Sequence, residues 1–344
     1  VPNDVLTRAI DALCSGDHLT ADHTAAVLEE VMGGRAGEVQ TGAFLVALRA
    51  KGETVPELVG LARTMRSLAE AVEAGRNDLV DTAGTGGGPS TFNVSTTAAL
   101  IAAGAGCAVA KHGNRSATSR SGSADLLEAL GVRIELEPAQ VARCIEETGF
   151  GFMFAPRHHR AMKHVVPVRK ELAVRTIFNF LGPLTNPAGA TRQLLGVSDR
   201  RYQETIAEAL VTLGSERALV VTAEDGTDEL SLWARNRVIE VRNGRTEEWF
   251  VDPVELGVDA APLEAVAGGS PEENAAVTRS VLEGETGPAR DISVLNAAAA
   301  ILAAGRVSDL PEGIEQARAA IDTGTARGVL ERVVALTGEL AKAS

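Results

Sequence analysis

The sequence predicts an α/β fold: a small all-helical domain over residues 1–75, then a large α/β domain over residues 76–344 whose mainly parallel sheet is flanked by helices. Three observations lead there. Residues 3–75 carry apolar spacing of helical period only. From Asp78 onward short apolar runs alternate with turns and helical patterns, the order that a parallel sheet covered on both faces requires. Aromatic residues are 3% of the chain against 35 glycines, so the core must close through small side chains, as helices lying tightly on a sheet can do. A chain of 344 residues is long enough to bury such a core.

The first helix places Leu6, Ile10 and Leu13 on one face. A second, with Ala25, Val27, Leu28 and Val31, stops at Gly33-Gly34. A third, with Phe44, Leu45, Val46 and Leu48, stops near Gly52. Thr54 and Glu57 are spaced as a capping box for a fourth, whose buried face holds Leu58, Leu61, Met65 and Leu68. Strands are then expected at 79–81, 107–111, 132–136, 151–154, 193–197 and 217–222, with helices between them, among them 124–130, 139–148 and 200–213. Residues 158–187 break this alternation with a helix and a loop punctuated by Gly182-Pro183 and Asn186-Pro187. Residues 238–241 and 247–251 flank Asn243-Gly244, a favoured hairpin turn. Helices over 271–283, 292–304, 312–322 and 326–340 complete the chain.

The chemistry concentrates in residues 81–130. A short strand ends in Gly84-Thr85-Gly86-Gly87-Gly88, where missing Cβ atoms let backbone N–H groups approach a ligand. Asn93, Ser95 and Thr96 stand just ahead of an apolar helix; Ser or Thr there reads as an N-cap, and a helix N-terminus attracts anions. The next strand runs into Lys111-His112-Gly113-Asn114-Arg115 and a hydroxyl-rich stretch through Ser119, ending at Ser123, a candidate cap for the following helix. Both loops leave the same edge of a parallel sheet, the edge where open α/β sheets bind ligands. The ligand is expected to be strongly anionic, phosphate foremost. Farther on, Asp228-Glu229 follow a strand through the turn Asp225-Gly226-Thr227. Two adjacent carboxylates can take a hard divalent cation such as Mg2+. The same turn in isolation also reads as a solvated acidic loop.

Composition excludes several classes. A net charge of −13 argues against a nucleic-acid partner, and the cations gather in only two windows, 111–120 and 157–175. No apolar run reaches the length of a membrane span, and the N-terminus lacks the basic-then-apolar pattern of a secretion signal. Cys14, Cys107 and Cys144 have no CxxC spacing and read as small buried hydrophobes, which fits a reducing, cytoplasmic location. His158, His159 and His164 lack the spacing of a helical metal pair and read as cleft-edge or surface residues. A dinucleotide fingerprint fails because Pro89 stands where its third glycine belongs.

Four blocks carry a resemblance. GTGGGPSTFNVST (84–96), KHGNRSATSRSGSADLLEALG (111–131), AMKHVVPVRKELAVRTIFNFLGPLTNPA (161–188) and DGTDELS (225–231) are similar, in the same order, to the signature blocks of the anthranilate phosphoribosyltransferase family. The resemblance implies transfer of ribose 5-phosphate from phosphoribosyl pyrophosphate to the amine of anthranilate, in tryptophan biosynthesis. It implies donor contacts from Gly84, Gly87, Thr91, Asn93, Ser95, Thr96, Lys111, Asn114, Ser119 and Ser123. For anthranilate it implies Gly84, His112, Asn114 and Arg169, near Gly182. Two Mg2+ ions would be held by Asp228 and Glu229 with Ser95. A homodimer through the helical domain is implied, and a segment around 165–190 that crosses back to that domain as a cleft wall. Arg169 in isolation also reads as a surface ion pair with Glu171. Two positions depart from the pattern: Gly88 replaces the usual Asp in a loop one residue shorter, and Thr222-Ala223 replaces a His-Gly-like pair. The related pyrimidine nucleoside phosphorylases place Lys and Ser before the glycines, where this chain has Asp81-Thr82-Ala83. A non-catalytic nucleic-acid-binding homologue would show a basic surface and lost metal ligands.

Overall fold

The structure, a computed structural model, describes residues 2–116 and 120–342. Four helices open the chain: α1 Asp4–Cys14, α2 Ala21–Met32, α3 Glu38–Lys51 and α4 Val55–Ser67. The capping box at α4 forms, with the fully buried Glu57 carboxylate accepting from the Thr54 N–H and hydroxyl, both at 2.8 Å. Glu57 also accepts from Leu19 N and pairs with Lys51, so one acid closes the bundle at three points. Val46 and Leu68, expected inside, are 45% and 46% exposed. Val46 sits on the outward side of α3, and Leu68 lies past the last turn of α4.

A seven-stranded sheet follows, in the order β3-β2-β1-β4-β5-β6-β7. Its strands are β1 Leu79–Gly84, β2 Ala108–Gly113, β3 Phe150–Phe154, β4 Arg192–Gly196, β5 Arg217–Ala223, β6 Asn236–Arg242 and β7 Arg245–Val251. The first five are parallel; β6 and β7 are antiparallel. Asn243 and Gly244 both take positive φ, 52° and 73°, as a type I′ hairpin turn demands. The crossovers are α5 Val94–Gly104, α6 Ser123–Ala129 and α7 Pro138–Thr148, then the short α8 Ala155–His158, α9 Val166–Leu172 and α10 Phe178–Leu181, then α11 Gln203–Thr212. Four helices end the chain: α12 Pro271–Leu282, α13 Pro288–Ala303, α14 Leu310–Asp322 and α15 Thr325–Leu340.

Strand alternation sends neighbouring residues to opposite cores. Leu194, Leu219 and Val221 face the core filled by α5, α13 and α14. Leu195 and Val220 face a second core shared with α1–α4, α11 and the apolar residues of α9 and α10. The helical bundle and the back of the sheet are thus one continuous apolar body, joined through Val165, Val168, Ile177 and Phe178.

Two further expectations fail. Residues 132–136 form no strand. Val132, Ile134 and Leu136 are buried, which produced the alternating pattern, but the backbone lies against α15, where Arg133 N donates to the Thr337 hydroxyl at 3.1 Å. Cys14 is exposed, at the last position of α1; only Cys107 and Cys144 are buried.

Candidate active site

Strand order reverses between β1 and β4: the chain builds outward from β1 through β2 to β3, then returns to lay β4 on β1's other side. A crevice outside the carboxyl ends of strands opens at such a point. Here it is a cleft of about 1100 Å³ bounded by the glycine turn, the end of β2, residues 155–185 and the acidic turn.

The glycine turn and the acidic turn interlock. Gly84 ends β1 opposite Gly196 of β4. A Cβ on Gly84 would overlap the Asp228 carboxylate, and one on Gly196 would overlap the Asp228 carbonyl. Both must be glycine for the turn to seat over the strand ends. Gly86 and Gly87 have φ of 68° and 85°, and the Gly86 N–H donates to Asp228 Oδ2 at 2.7 Å. A Cβ on Gly88 would overlap the Gly226 carbonyl, so the position that departs from the family pattern is packed shut by the acidic turn. Thr91 donates its hydroxyl to Glu229 Oε2 at 2.9 Å.

Asn93, not Ser95 or Thr96, is the residue before α5, and its side chain makes no cap bond. Its amide instead donates to Ser121 O at 3.1 Å, and its Oδ1 accepts from the Ser121 hydroxyl and from Asn274, tying the two loops together. Gly122, not Ser123, precedes α6, with Asp125 accepting from its N–H. The Ser123 hydroxyl donates to Asn114 O at 3.3 Å and lines the cleft. Thr96 is fully buried beneath the cleft and does not line it. Ser119 lies outside the described residues.

Lys111 is 2% exposed and reaches the cleft floor between β1 and α5, donating to Thr82 O at 2.5 Å and Thr82 Oγ1 at 3.2 Å, with Ser95 Oγ at 3.5 Å. Burial pulls its ammonium down to about 8, against the attraction of Asp81 and Glu229. Asp81, the residue that separates this turn from a phosphorylase, is buried and structural: it accepts from His112 N and from Asn186 Nδ2 at 2.7 Å. His112 donates Nδ1–H to Gly182 O at 3.1 Å, since a carbonyl can only accept. Burial and the nearby His159 drive its pKa down to about 3, so the ring is neutral with Nε2 unprotonated.

The opposite wall is residues 155–185. Arg169 is half-buried, its guanidinium 5.5 Å from the Phe178 ring centroid, with no carboxylate partner among the described residues. Burial depresses its pKa, and Glu171 is exposed and does not pair with it. His158 and His159 are buried, at 1% and 6% exposure, rather than lying on the surface. His159 lines the cleft, its ring 5.1 Å from that of His112.

Asp228 and Glu229 are half-buried where the acidic turn meets the cleft, and desolvation raises both carboxyls, Glu229 also through Asp228 beside it. Their protein partners are few: Gly86 N for Asp228 and the Thr91 hydroxyl for Glu229. Two under-partnered carboxylates facing a polar cleft fit a hard cation. Among the described residues no group of three or more acidic, histidine or cysteine side chains could hold one.

The sequence did not single out Arg175, Ser198 or Asn186 as site residues, and it gave His159 only as one of three cleft-edge or surface histidines. Arg175 lay inside the cationic window 157–175, and Asn186 in the Pro- and Gly-punctuated loop; only the fold brings them to the glycine turn and to Asp81.

The glycosyl transferase family a/b domain matches residues 76–327 and the family's helical bundle domain matches 7–69. An anthranilate phosphoribosyltransferase of Symbiobacterium thermophilum is 53% identical over 329 residues, covering 95% of this chain and 96% of its own. This chain belongs to the anthranilate phosphoribosyltransferase family. A relative of that name from Rubrobacter xylanophilus is 50% identical and covers 98% of this chain and 99% of its own. The anthranilate phosphoribosyltransferase of Thermus thermophilus superposes with a TM-score of 0.91 at 49% identity, covering 96% of this chain and 99% of that one. The Saccharomyces cerevisiae enzyme in complex with PRPP and Mg superposes at 0.89 with 27% identity, covering 97% and 98%. No helix among the described residues is long and apolar enough to cross a membrane.

Proposed function

We propose that the protein is an anthranilate phosphoribosyltransferase of L-tryptophan biosynthesis. It would move the 5-phosphoribosyl group of phosphoribosyl pyrophosphate to the anthranilate amine and release pyrophosphate. The observation that carries this is one cleft with two unlike walls: a floor of backbone amides, hydroxyls and Lys111 with an under-partnered acidic pair, and a half-buried arginine facing it that has no carboxylate partner among the described residues. The division of the chain into a helical unit over 1–75 with the crossing segment around 165–190, and a phosphoribosyl-binding unit over 76–344, is supported by Val165, Val168 and Phe178 packing into the core of α1–α4.

The donor's phosphates would lie against the amides of the glycine turn and the hydroxyls of Thr91 and Ser95, with Lys111, Asn93, Asn114 and Ser123 around them; the contact implied for Ser119 falls outside the described residues. Thr96, in the first turn of α5, is buried beneath the cleft and would act only through that helix. Asp228 and Glu229, with Ser95, would hold two Mg2+ ions, which supply neutralisation of the charge that gathers on departing pyrophosphate. Arg169 offers a planar fork to the anthranilate carboxylate. The C1–O bond to pyrophosphate breaks as the amine nitrogen bonds to C1, and the amine proton leaves to solvent or to pyrophosphate. An aromatic amine is unprotonated at neutral pH, so neutral His112 need not act as a strong base; beside Gly182 it shapes the acceptor site and places no positive charge next to the nucleophile. Holding both substrates in line supplies much of the rate.

A homodimer through the helical unit follows from the same reading and is checked by analytical ultracentrifugation. The activity is checked by loss of anthranilate fluorescence with phosphoribosyl pyrophosphate and Mg2+, with and without chelator. Turnover that persists in excess chelator removes the metal assignment, and no turnover with either addition removes the reading.

A further inference from the structure

Arg175 has no part in the contacts assigned above, yet it joins both walls of the cleft. Its Nη2 donates to Gly86 O at 3.0 Å, and Nη2 and Nη1 reach the Ser198 hydroxyl at 3.2 and 3.3 Å. Ser198 in turn donates to the same Gly86 carbonyl at 2.7 Å, and its N–H donates to the Thr85 hydroxyl. The guanidinium lies 5.8 Å from the Phe180 ring centroid, and no carboxylate pairs with it among the described residues. A Cβ on Gly87 would come within 2.6 Å of Nη1, so the glycine turn is shaped to admit this side chain. From the other direction, Arg49 of α3 donates to the Arg175 carbonyl at 2.6 Å.

Resting on the transferase reading, we propose that Arg175, with Ser198, is a positioning residue for the donor site: it clamps the Gly86 carbonyl so that the Gly86 amide faces Asp228 and the turn presents its N–H groups to pyrophosphate. The physical need is clear. Gly86 and Gly87 both occupy positive φ, and consecutive glycines sample many backbone conformations in solution. Two donors converging on one carbonyl select a single conformation, and in it the neighbouring amide meets Asp228 Oδ2 at 2.7 Å. A planar guanidinium holds a carbonyl and a hydroxyl in a fixed fork while lying flat on an aromatic face; a lysine ammonium lacks that fixed plane. The contacts run without a break from α3 through Arg49, Arg175 and Gly86 to Asp228, so the helical bundle reaches the acidic pair through this one side chain.

The test uses the full chain with Arg175→Gln, Arg175→Lys and Ser198→Ala. Expected are melting temperatures near that of the unchanged protein and an anthranilate KM within about twofold. For Arg175→Gln the donor KM, and the donor Kd by titration calorimetry with Mg2+, should rise tenfold or more; Ser198→Ala should give a smaller rise, and Arg175→Lys only partial recovery. Hydrogen–deuterium exchange of the amides in 84–90 should quicken in Arg175→Gln. Unchanged donor affinity in both Arg175→Gln and Ser198→Ala overturns the inference, as does an equal rise in both substrates' KM. If the unchanged protein shows no Mg2+-dependent turnover, the transferase reading falls, and unquickened exchange in Arg175→Gln then rejects the clamp on its own.

Discussion

Single residues decide the chemistry through burial. Asp228→Asn with Glu229→Gln should abolish Mg2+-dependent turnover yet raise the melting temperature of the metal-free protein, by about 2 °C or more. The reason is direction: desolvation lifts both carboxyls, so their ionised forms cost stability above the unfolded pKa and the cost vanishes with the charge. A drop in melting temperature would show that the pair stabilises the fold. Arg169→Ala should raise the anthranilate KM about tenfold to a hundredfold, the worth of a charge-assisted bond, with the donor KM little changed; steady-state kinetics with each substrate varied decides it. Lys111 should carry the pH dependence of donor capture. Its ammonium, held down to about 8, loses its proton as pH rises through that value, so kcat/KM for the donor should fall above about pH 8. For stability the sign is opposite: the cost of burying the charge is full below about 8 and is relieved between there and the ordinary 10.5. In Lys111→Met the alkaline fall should be lost along with most of the affinity.

At the scale of elements, the site is two turns locked over a strand pair. Gly88→Asp, which puts back the residue usual in the family, should raise the donor KM rather than improve it, because its Cβ meets the Gly226 carbonyl. Unchanged or tighter donor binding by calorimetry would mean that the acidic turn yields easily. Much of this was legible beforehand. The glycine run, the basic loop and the acidic doublet each announce themselves by residue type, and their placement at one sheet edge follows from alternating strands and helices. The caps were misplaced by one residue or more: Asn93 and Gly122, not the nearby hydroxyl residues, precede α5 and α6, because Asn93 bonds across to Ser121 and Asp125 closes the turn from within α6. Arg175 and Asn186 stayed hidden because their partners, Gly86 and Asp81, lie 89 and 105 residues away in sequence. Residues 132–136 misled because burial against α15 gives the same alternation as a strand.

Across the whole molecule, one apolar body runs from α1–α4 through the crossing segment to the back of the sheet. Composition foretold its small side chains, and periodicity foretold both layers; the continuity between them depended on where residues 165–184 travel, which no local pattern records. Charges set for a ligand burden a fold whenever that ligand is scarce. Three such groups, Asp228, Glu229 and Arg169, are drawn partly out of water with too few partners; on the transferase reading metal would answer the two acids and anthranilate the arginine. Supply of small molecules should therefore affect how readily the protein opens to proteases. At a hundredfold excess over Kd a ligand adds about 2.7 kcal/mol to stability, enough to slow proteolysis that proceeds through opened molecules. Starved cells would hold a shorter-lived pool, and protease half-life measured against substrate concentration would trace the binding curve without a single turnover.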